Sequence, residues 1–319
     1  MPNGTYWWCE RGGHTTPTRL YNICLAHDAF RVRRLLAAAL TSESVMWARR
    51  EAPLPKRIDK PQSGLEIRLL NRKGKGKARS MYTFSGRVRF SETDPNGDLK
   101  MESLIDYFQD CSTFQSEDLG VGVEYLQKDH LAWLVNYWQI DILQLPHLGD
   151  SIVAGTSPYE IRGFMGLRNF MLETGDGKRL VNANSVWSLI DMDRGLPVRA
   201  SERIVRAYEL FPKFDMEYLP RKIRVPKEGG EEKEPIRITE EFLDSNHHVN
   251  NGQYVRLAMA YGTESAQIAR LRVEYKKQAY LGDVIHPRVY QTEENVILIA
   301  LNSAAGETYA AVEITKGRK

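Results

Sequence analysis

Leu243-Asp244-Ser245-Asn246-His247-His248-Val249-Asn250-Asn251-Gly252-Gln253-Tyr254 is the stretch on which the reading of this chain turns. It gathers an acid, several asparagines and two imidazoles directly in front of a helical pattern. Asparagine at 250 or 251 is a good N-cap, because its side chain accepts from the open amides of a first turn. Beyond it Tyr254, Leu257, Ala258 and Tyr261 recur at helical spacing and describe one buried face, so a helix is expected over 251–262. A helix N-terminus presents unpaired N–H groups and partial positive charge, which suits an oxyanion. An imidazole beside it suits a general base near neutral pH. The competing reading is a polar turn whose Asn and His side chains only cap backbone. Within this window the two readings stand level.

A second copy of the pattern lies upstream. Asp94-x-Asn96-x-Asp98 precedes a helix marked by Met101, Leu104, Ile105, Phe108, Cys111 and Gln115, just as Asp244-x-Asn246-x-His248 precedes the later one. A strand is expected on the N-terminal side of each turn, at 82–90 and at 236–239. Four β-rich stretches follow each helix: 132–143, 151–161, 167–173 and 180–191 in the first half, then 270–279, 283–291, 295–301 and 308–315 in the second. Turn signals at Pro146/Gly149, Gly163/Gly166 and Gly175-Asp176-Gly177 separate the first set. A short helix is expected near 202–210. Strand, turn, one helix, then an antiparallel meander therefore occurs twice. One helix per meander implies a curved sheet wrapped around it, an α+β arrangement, and two units make a pseudo-dimer within one chain. The expected division is 81–211 and 236–319, joined by a Pro-, Lys- and Glu-rich crossing linker at 212–235. Since only the second turn carries an imidazole, one working site per chain is expected, with the first half as binding wall.

Composition sets the frame. The chain has 319 residues, 42% hydrophobic and 27% charged, ordinary for a globular protein of one large or two medium domains. The formal charge of +3 averages two unlike parts. Residues 1–80 hold 16 Lys or Arg against 6 Asp or Glu, whereas 81–319 hold 28 against 35. The basic part, with a short amphipathic helix near 29–40, reads as an extension whose ordered partner begins at Met81. A targeting presequence, or a basic arm for nucleic acid or membrane, is the competing use. No apolar run approaches the ~18–20 residues of a membrane span. Cys9, Cys24 and Cys111 make no metal or redox spacing, and Cys111 lies in an apolar helical pattern that suggests buried packing. A reducing, cytoplasmic setting is expected, or a plastid if 1–80 is a transit peptide.

Asp244, Asn246 and His248 alternate, so in an extended approach to the helix they fall on one side. A carboxylate can support the imidazole, the imidazole can take a proton from water, and Asn with the helix amides of Val249 and Asn250 can hold a carbonyl oxygen as it becomes negative. That set suits hydrolysis of an activated acyl group. His247 points the other way in this reading. Adjacent imidazoles rarely chelate one ion and no third ligand lies nearby, so no metal is expected. Phosphate loops, nucleophile elbows and zinc motifs are absent from the sequence.

With these residues quoted, the chain resembles the acyl-ACP thioesterases of bacteria and plant plastids. The resemblance is carried by Asp244-x-Asn246-x-His248-Val249-Asn250-Asn251, by Val273-Glu274-Tyr275-Lys276-Lys277 after it, and by Arg87-Val88-Arg89-Phe90 and Asp106-Tyr107-Phe108-Gln109-Asp110 in the first half. It covers about residues 81–319. It implies a tandem (double) hotdog fold, each unit an antiparallel sheet wrapped around one long helix. It also implies hydrolysis of the thioester between a fatty acyl chain and acyl carrier protein, with no cofactor and no nucleic acid. Homodimerisation is left open. An acyl-CoA thioesterase and a non-catalytic acyl-binding hotdog protein are the alternatives. Family Asp, Asn and His positions match Asp244, Asn246 and His248. Plant members carry Glu then Cys where this chain has Gln278 and Ala279, which disfavours a thiol nucleophile and suggests that Gln278 positions the attacking water. Leu104, Ile105, Phe108, Trp133, Tyr137 and Trp138 are candidates for the apolar slot. Arg221, Lys222, Arg224, Lys227, Lys276 and Lys277 are candidates for meeting the acidic carrier protein.

Overall fold

A computed structural model of the protein describes residues 80–317, apart from Ser245 and the side chain of Ala266. The basic stretch before residue 80 and the helix expected near 29–40 lie outside the described residues. In chain order the elements are β1 (Tyr82–Arg87), α1 (Met101–Asp118), α2 (Val123–Gln127), β2 (Leu131–Ile142), β3 (Ser151–Arg162), β4 (Met165–Thr174), β5 (Arg179–Asp191), β6 (Leu196–Pro197) and α3 (Glu202–Ala207). The second half adds β7 (Glu231–Glu232), β8 (Ile236–Arg237), α4 (Asn251–Met259), β9 (Ile268–Tyr275), β10 (Val284–Glu293), β11 (Val296–Asn302) and β12 (Thr308–Lys316).

All the strands join one antiparallel sheet in the order β1-β3-β4-β5-β2-β9-β12-β11-β10-β7, with β6 beside β5 and β8 beside β10. The order is symmetric about the β2–β9 seam: β5, β4, β3 and β1 run outward on one side, and β12, β11, β10 and β8 on the other. This is the tandem hotdog, its two units fused edge to edge. At the seam Trp138 pairs with Val273, Gln139 with Arg272 and Ile140 with Leu271.

The helices lie on one face of the sheet. Met101, Leu104, Ile105, Phe108 and Cys111 form the inner stripe of α1 and are fully buried against Trp138, Phe170 and Leu172. Such a stripe, with the expected 3.6-residue spacing, is what removes the helix from water. The shorter α4 buries Tyr254, Val255 and Ala258 in the same core. At its first turn α4 meets α1 through Gly252, where a Cβ would sit 3.0 Å from Asp106 Oδ1 and 3.4 Å from the Glu102 carbonyl oxygen.

The linker is not the unpatterned connection that its composition suggested. Residues 212–225 cross the opposite face of the sheet and are fastened there by side chains of the strands. Phe214 N–H donates to Asn169 Oδ1 (3.1 Å), as does Tyr218 Oη (3.0 Å), while Asn169 Nδ2 donates to the Ala183 carbonyl (3.1 Å). Gln139 Nε2 donates to the Glu217 carbonyl at 2.7 Å, and Gln139 Oε1 accepts from Leu219 N–H at 2.9 Å. Arg272 reaches the Pro220 carbonyl (2.7 Å), and Ile223 N–H donates to Glu274 (2.9 Å). Ile223 then packs on Tyr290, Leu298, Ala300 and Ala311. Asn169 and Gln139 are completely buried, which is tolerable because their carboxamides are bonded on both sides.

Asn169→Ala is therefore expected to destabilise the protein by about 3 kcal/mol, because one truncation strands the Phe214 N–H, removes two further bonds (from Tyr218 Oη and to the Ala183 carbonyl) and leaves a buried gap. Thermal unfolding with limited proteolysis reads this directly. The linker should become the first cleavage site in the variant.

Candidate active site

The two turns are built to one backbone plan. In the first, Asp94 N–H donates to the Asp98 carbonyl (2.9 Å), and Gly97 N–H donates to the Asp94 carbonyl (3.0 Å). In the second, Asp244 N–H donates to the His248 carbonyl (2.8 Å), and His247 N–H donates to the Asp244 carbonyl (3.0 Å). The Asp94 carboxylate accepts from the amides of Asn96 (2.9 Å) and Asp98 (3.1 Å); the Asp244 carboxylate accepts from Asn246 (2.8 Å) and, more distantly, His248 (3.4 Å). Even the segment opposite repeats. His147 N–H donates to Asp150 in one copy, Tyr280 N–H to Asp283 in the other, and Leu99 N–H to Pro146 corresponds to Val249 N–H to Ala279.

This correspondence separates what the turn needs from what it has been given. The third residue after each Asp has positive φ: Gly97 at 87° and His247 at 61°. Glycine is the easy choice at such a position. In the first copy it is also required by space, since a Cβ at Gly97 would collide with the His147 ring. The left-handed residue makes the approach to α4 a tight turn, where an extended chain was expected. Asp244, Asn246 and His248 nevertheless all line one cavity, together with Val249, Asn251 and Gln278. His247 is exposed and is not among the lining residues.

The carboxylate of Asp244 holds the turn, as Asp94 does where aspartate replaces the histidine of position 248. Among the described residues no hydrogen bond joins it to the His248 ring. That ring stands edge-on to Tyr280, with centroids 5.0 Å apart. The side chains of Asn246, His248 and Gln278 make no hydrogen bond among the described residues and remain available to a ligand.

The two amides expected to hold an oxyanion are already bonded. Val249 N–H donates to the Ala279 carbonyl (3.0 Å) and Asn250 N–H to the Phe242 carbonyl (2.9 Å), so neither is open. Each is committed because the turn must be stitched to the strands on both sides. Asn250 is the N-cap, its Oδ1 accepting from Gly252 N–H at 2.7 Å. The first-turn amide without an acceptor among the described residues is that of Asn251, which lines the cavity. Asn251 is fixed from both repeats: its Nδ2 donates to Gln109 Oε1 of α1 (2.8 Å), and its carbonyl accepts from Tyr275 Oη (2.9 Å). Gln109 also lines the cavity, a part that neither its residue type nor its spacing indicated. Tyr254 Oη accepts from Ala279 N–H at 2.8 Å and so anchors the segment carrying Gln278 to α4.

Gln278 sits in a loop, because the strand expected to reach Ala279 ends at Tyr275. Lys276 and Lys277 both turn their amides to the Tyr309 carbonyl (2.8 and 3.2 Å), which breaks the ladder and releases the next residues toward the cavity. By the paired hydrogen bonds above, the residue standing where Gln278 stands is Leu145 in the first copy. Its position is therefore apolar in the copy that lacks the imidazole.

The cavity has a volume of about 680 Å³, within the range of small-molecule sites. From the turn it extends into the first repeat, past Leu131, Trp133, Val135, Ile161, Leu167 and Trp187. Of the residues expected to line the slot, Trp133 does. Leu104, Ile105, Phe108 and Trp138 are fully buried core instead, and Tyr137 lies on the linker side, where Arg272 Nε donates to its hydroxyl at 3.0 Å. The inner stripe of α1 is consumed by packing on the sheet, which leaves the more polar flank of the helix, Gln109, Ser112, Thr113 and Ser116, to face the cavity. Lys276 and Lys277 are at its rim; Lys277 pairs with Glu307 and Lys276 with Glu274.

Comparison with known proteins agrees with this geometry. The acyl-ACP thioesterase N-terminal domain matches residues 79–208 and the acyl-ACP thioesterase C-terminal domain matches residues 227–316. The chain belongs to the acyl-ACP thioesterase family. A chloroplastic acyl-[acyl-carrier-protein] hydrolase of Cuphea viscosissima is 24% identical over 62% of this chain and 52% of its own. The chain thus spans about half the length of that curated relative. The crystal structure of an acyl-ACP thioesterase from Bacteroides thetaiotaomicron superposes with a TM-score of 0.68 at 22% identity, covering 74% of this chain and 97% of that one. The 12:0-ACP thioesterase of Umbellularia californica gives 0.65 at 14% identity, covering 76% and 100%. These superpositions show the shared tandem hotdog fold. Among the described residues of this thioesterase-family chain, no helix is long and apolar enough to cross a membrane.

Cys111 has no place in the chemistry. It is fully buried in α1, its thiol contacting the Ala154 carbonyl oxygen at 3.7 Å, and burial pushes its pKa up to about 12. A neutral, enclosed thiol is a poor nucleophile. Iodoacetamide treatment of the native protein at about pH 8 is expected to leave Cys111 unmodified in peptide mass maps.

Proposed function

We propose that this protein hydrolyses the thioester between a fatty acyl chain and acyl carrier protein, releasing the free fatty acid. The observation that carries the reading is one continuous cavity: it joins an unbonded imidazole, carboxamides and an open helix amide to a largely apolar interior. In this reading His248 removes a proton from water as it attacks the thioester carbonyl. Asn251 N–H, with the Asn246 or Gln278 carboxamide, holds the oxygen that gains charge, and the remaining carboxamide orients the water. Asp244 keeps the turn in shape and lends negative charge near the imidazolium. The acyl chain lies in the first repeat, and the carrier meets the rim at Lys276 and Lys277.

The test is a ladder of saturated acyl chains on acyl carrier protein and on coenzyme A, incubated with the purified full-length chain, with free fatty acid as the readout. Faster release from carrier-protein thioesters is expected. Equal release from both carriers would favour an acyl-CoA thioesterase, and no release from either would leave an acyl-binding protein.

A further inference from the structure

Arg168 is a charged residue inside the cavity. It projects from β4 on the helix side, two residues before the core residue Phe170, and lines the cavity while being only 9% exposed. Its guanidinium carbon lies 5.4 Å from the Tyr208 ring centroid and 5.9 Å from that of Phe170. Tyr208 and Ser116 share a hydrogen bond at 2.8 Å, and Ser112, Ser116 and Tyr208 line the same part of the cavity. Among the described residues the Tyr208 hydroxyl and the Cys111 thiol are the polar groups that act on Arg168, and no carboxylate is paired with it. Burial lowers its pKa from the usual range, yet a guanidinium remains protonated in proteins.

An enclosed cation without a counter-ion is costly, and stacking between two rings offsets part of that cost at most. A chain ending in a methyl group would cover the guanidinium without replacing its lost water. A carboxylate would match its planar fork of donors. The hydroxyls of Ser112, Ser116 and Tyr208 add polar groups to the same wall, in a cavity otherwise suited to hydrocarbon.

We propose that Arg168 anchors a subsite for a carboxylate at the far end of the acyl chain, so that the cavity accepts acyl thioesters terminated by an anion. The proposal rests on the thioesterase reading above.

The experiment uses pantetheine thioesters of 8 to ~16 carbons, matched in length and ending in methyl, hydroxyl or carboxylate, with the full-length protein and with Arg168→Met and Arg168→Lys. Non-hydrolysable thioether analogues of the same compounds are measured by calorimetry. Wild type is expected to prefer the carboxylate-ended compound at its best length by about ten- to hundredfold in kcat/KM and in Kd. Arg168→Met should abolish that ratio, and Arg168→Lys should keep part of it. Preference of the wild type for methyl ends at every length, or equal treatment of hydroxyl and carboxylate ends, would overturn the anion subsite whatever the variants do. If no thioester is hydrolysed but the thioethers still bind with carboxylate preference, the subsite stands and the hydrolase reading fails.

Discussion

His248→Asp is expected to leave the protein folded and to lower turnover by about 10²- to 10⁴-fold, the range associated with loss of a general base. The substitution is chosen because the molecule already contains its outcome. The first turn has Asp98 at the equivalent position, with the same carbonyl acceptance from Asp94 N–H and the same capping by the Asp94 carboxylate. The backbone plan therefore tolerates aspartate there, and a stability change within about 0.5 kcal/mol is expected. Alanine at His248 would be less informative, because no copy of the turn shows it folded. Unchanged kcat in a folded His248→Asp protein would remove the imidazole from the mechanism. Asp244 would then be the group to examine, although its carboxylate is already engaged in holding the turn, and its variants mix structural with chemical loss.

Gln278→Leu is the second large effect and follows the same logic. Leu145 occupies the equivalent place in the first copy, so the backbone accommodates leucine. What is lost is a carboxamide facing the cavity that has no protein partner among the described residues. If Gln278 holds the developing oxyanion or the attacking water, kcat should fall about 10²-fold while KM changes little, as when one oxyanion donor is removed. A fall in kcat/KM carried by KM alone would make Gln278 a wall of the cavity with no part in the bond-breaking step. Together the two variants give the second turn the first turn's residues at two cavity-lining positions.

Much of this architecture was legible in the residues. The hydrophobic alternation placed β2 to β5 and β9 to β12 to within a few residues, because each strand buries one face against a helix and each pair is closed by Gly- or Pro-containing turns. The paired Asp-x-Asn motifs identified the repeat because the Asp and the amides it caps are local in sequence. What stayed hidden depends on contacts between distant segments. Nothing in the strands that carry Asn169 and Gln139 shows that the linker's backbone will cover them. The amides of Val249 and Asn250 looked open because their acceptors, the Ala279 and Phe242 carbonyls, belong to other segments. The inner stripe of α1 was a candidate for the slot wall although core packing was the stronger reading for each residue, because both need apolar side chains. Only packing decides between them.

The β2–β9 seam and the strap of residues 212–225 have a further consequence for how the molecule may be divided. All the side chains placed at the turn, apart from Gln109, belong to the second repeat, yet that repeat is not a separable piece. Cutting it away would bare β9 as a long unpaired edge and uncover Leu298, Ala300 and Ala311, the kind of surface that recruits other strands into aggregates. The first half thus serves as a permanent edge guard for β9.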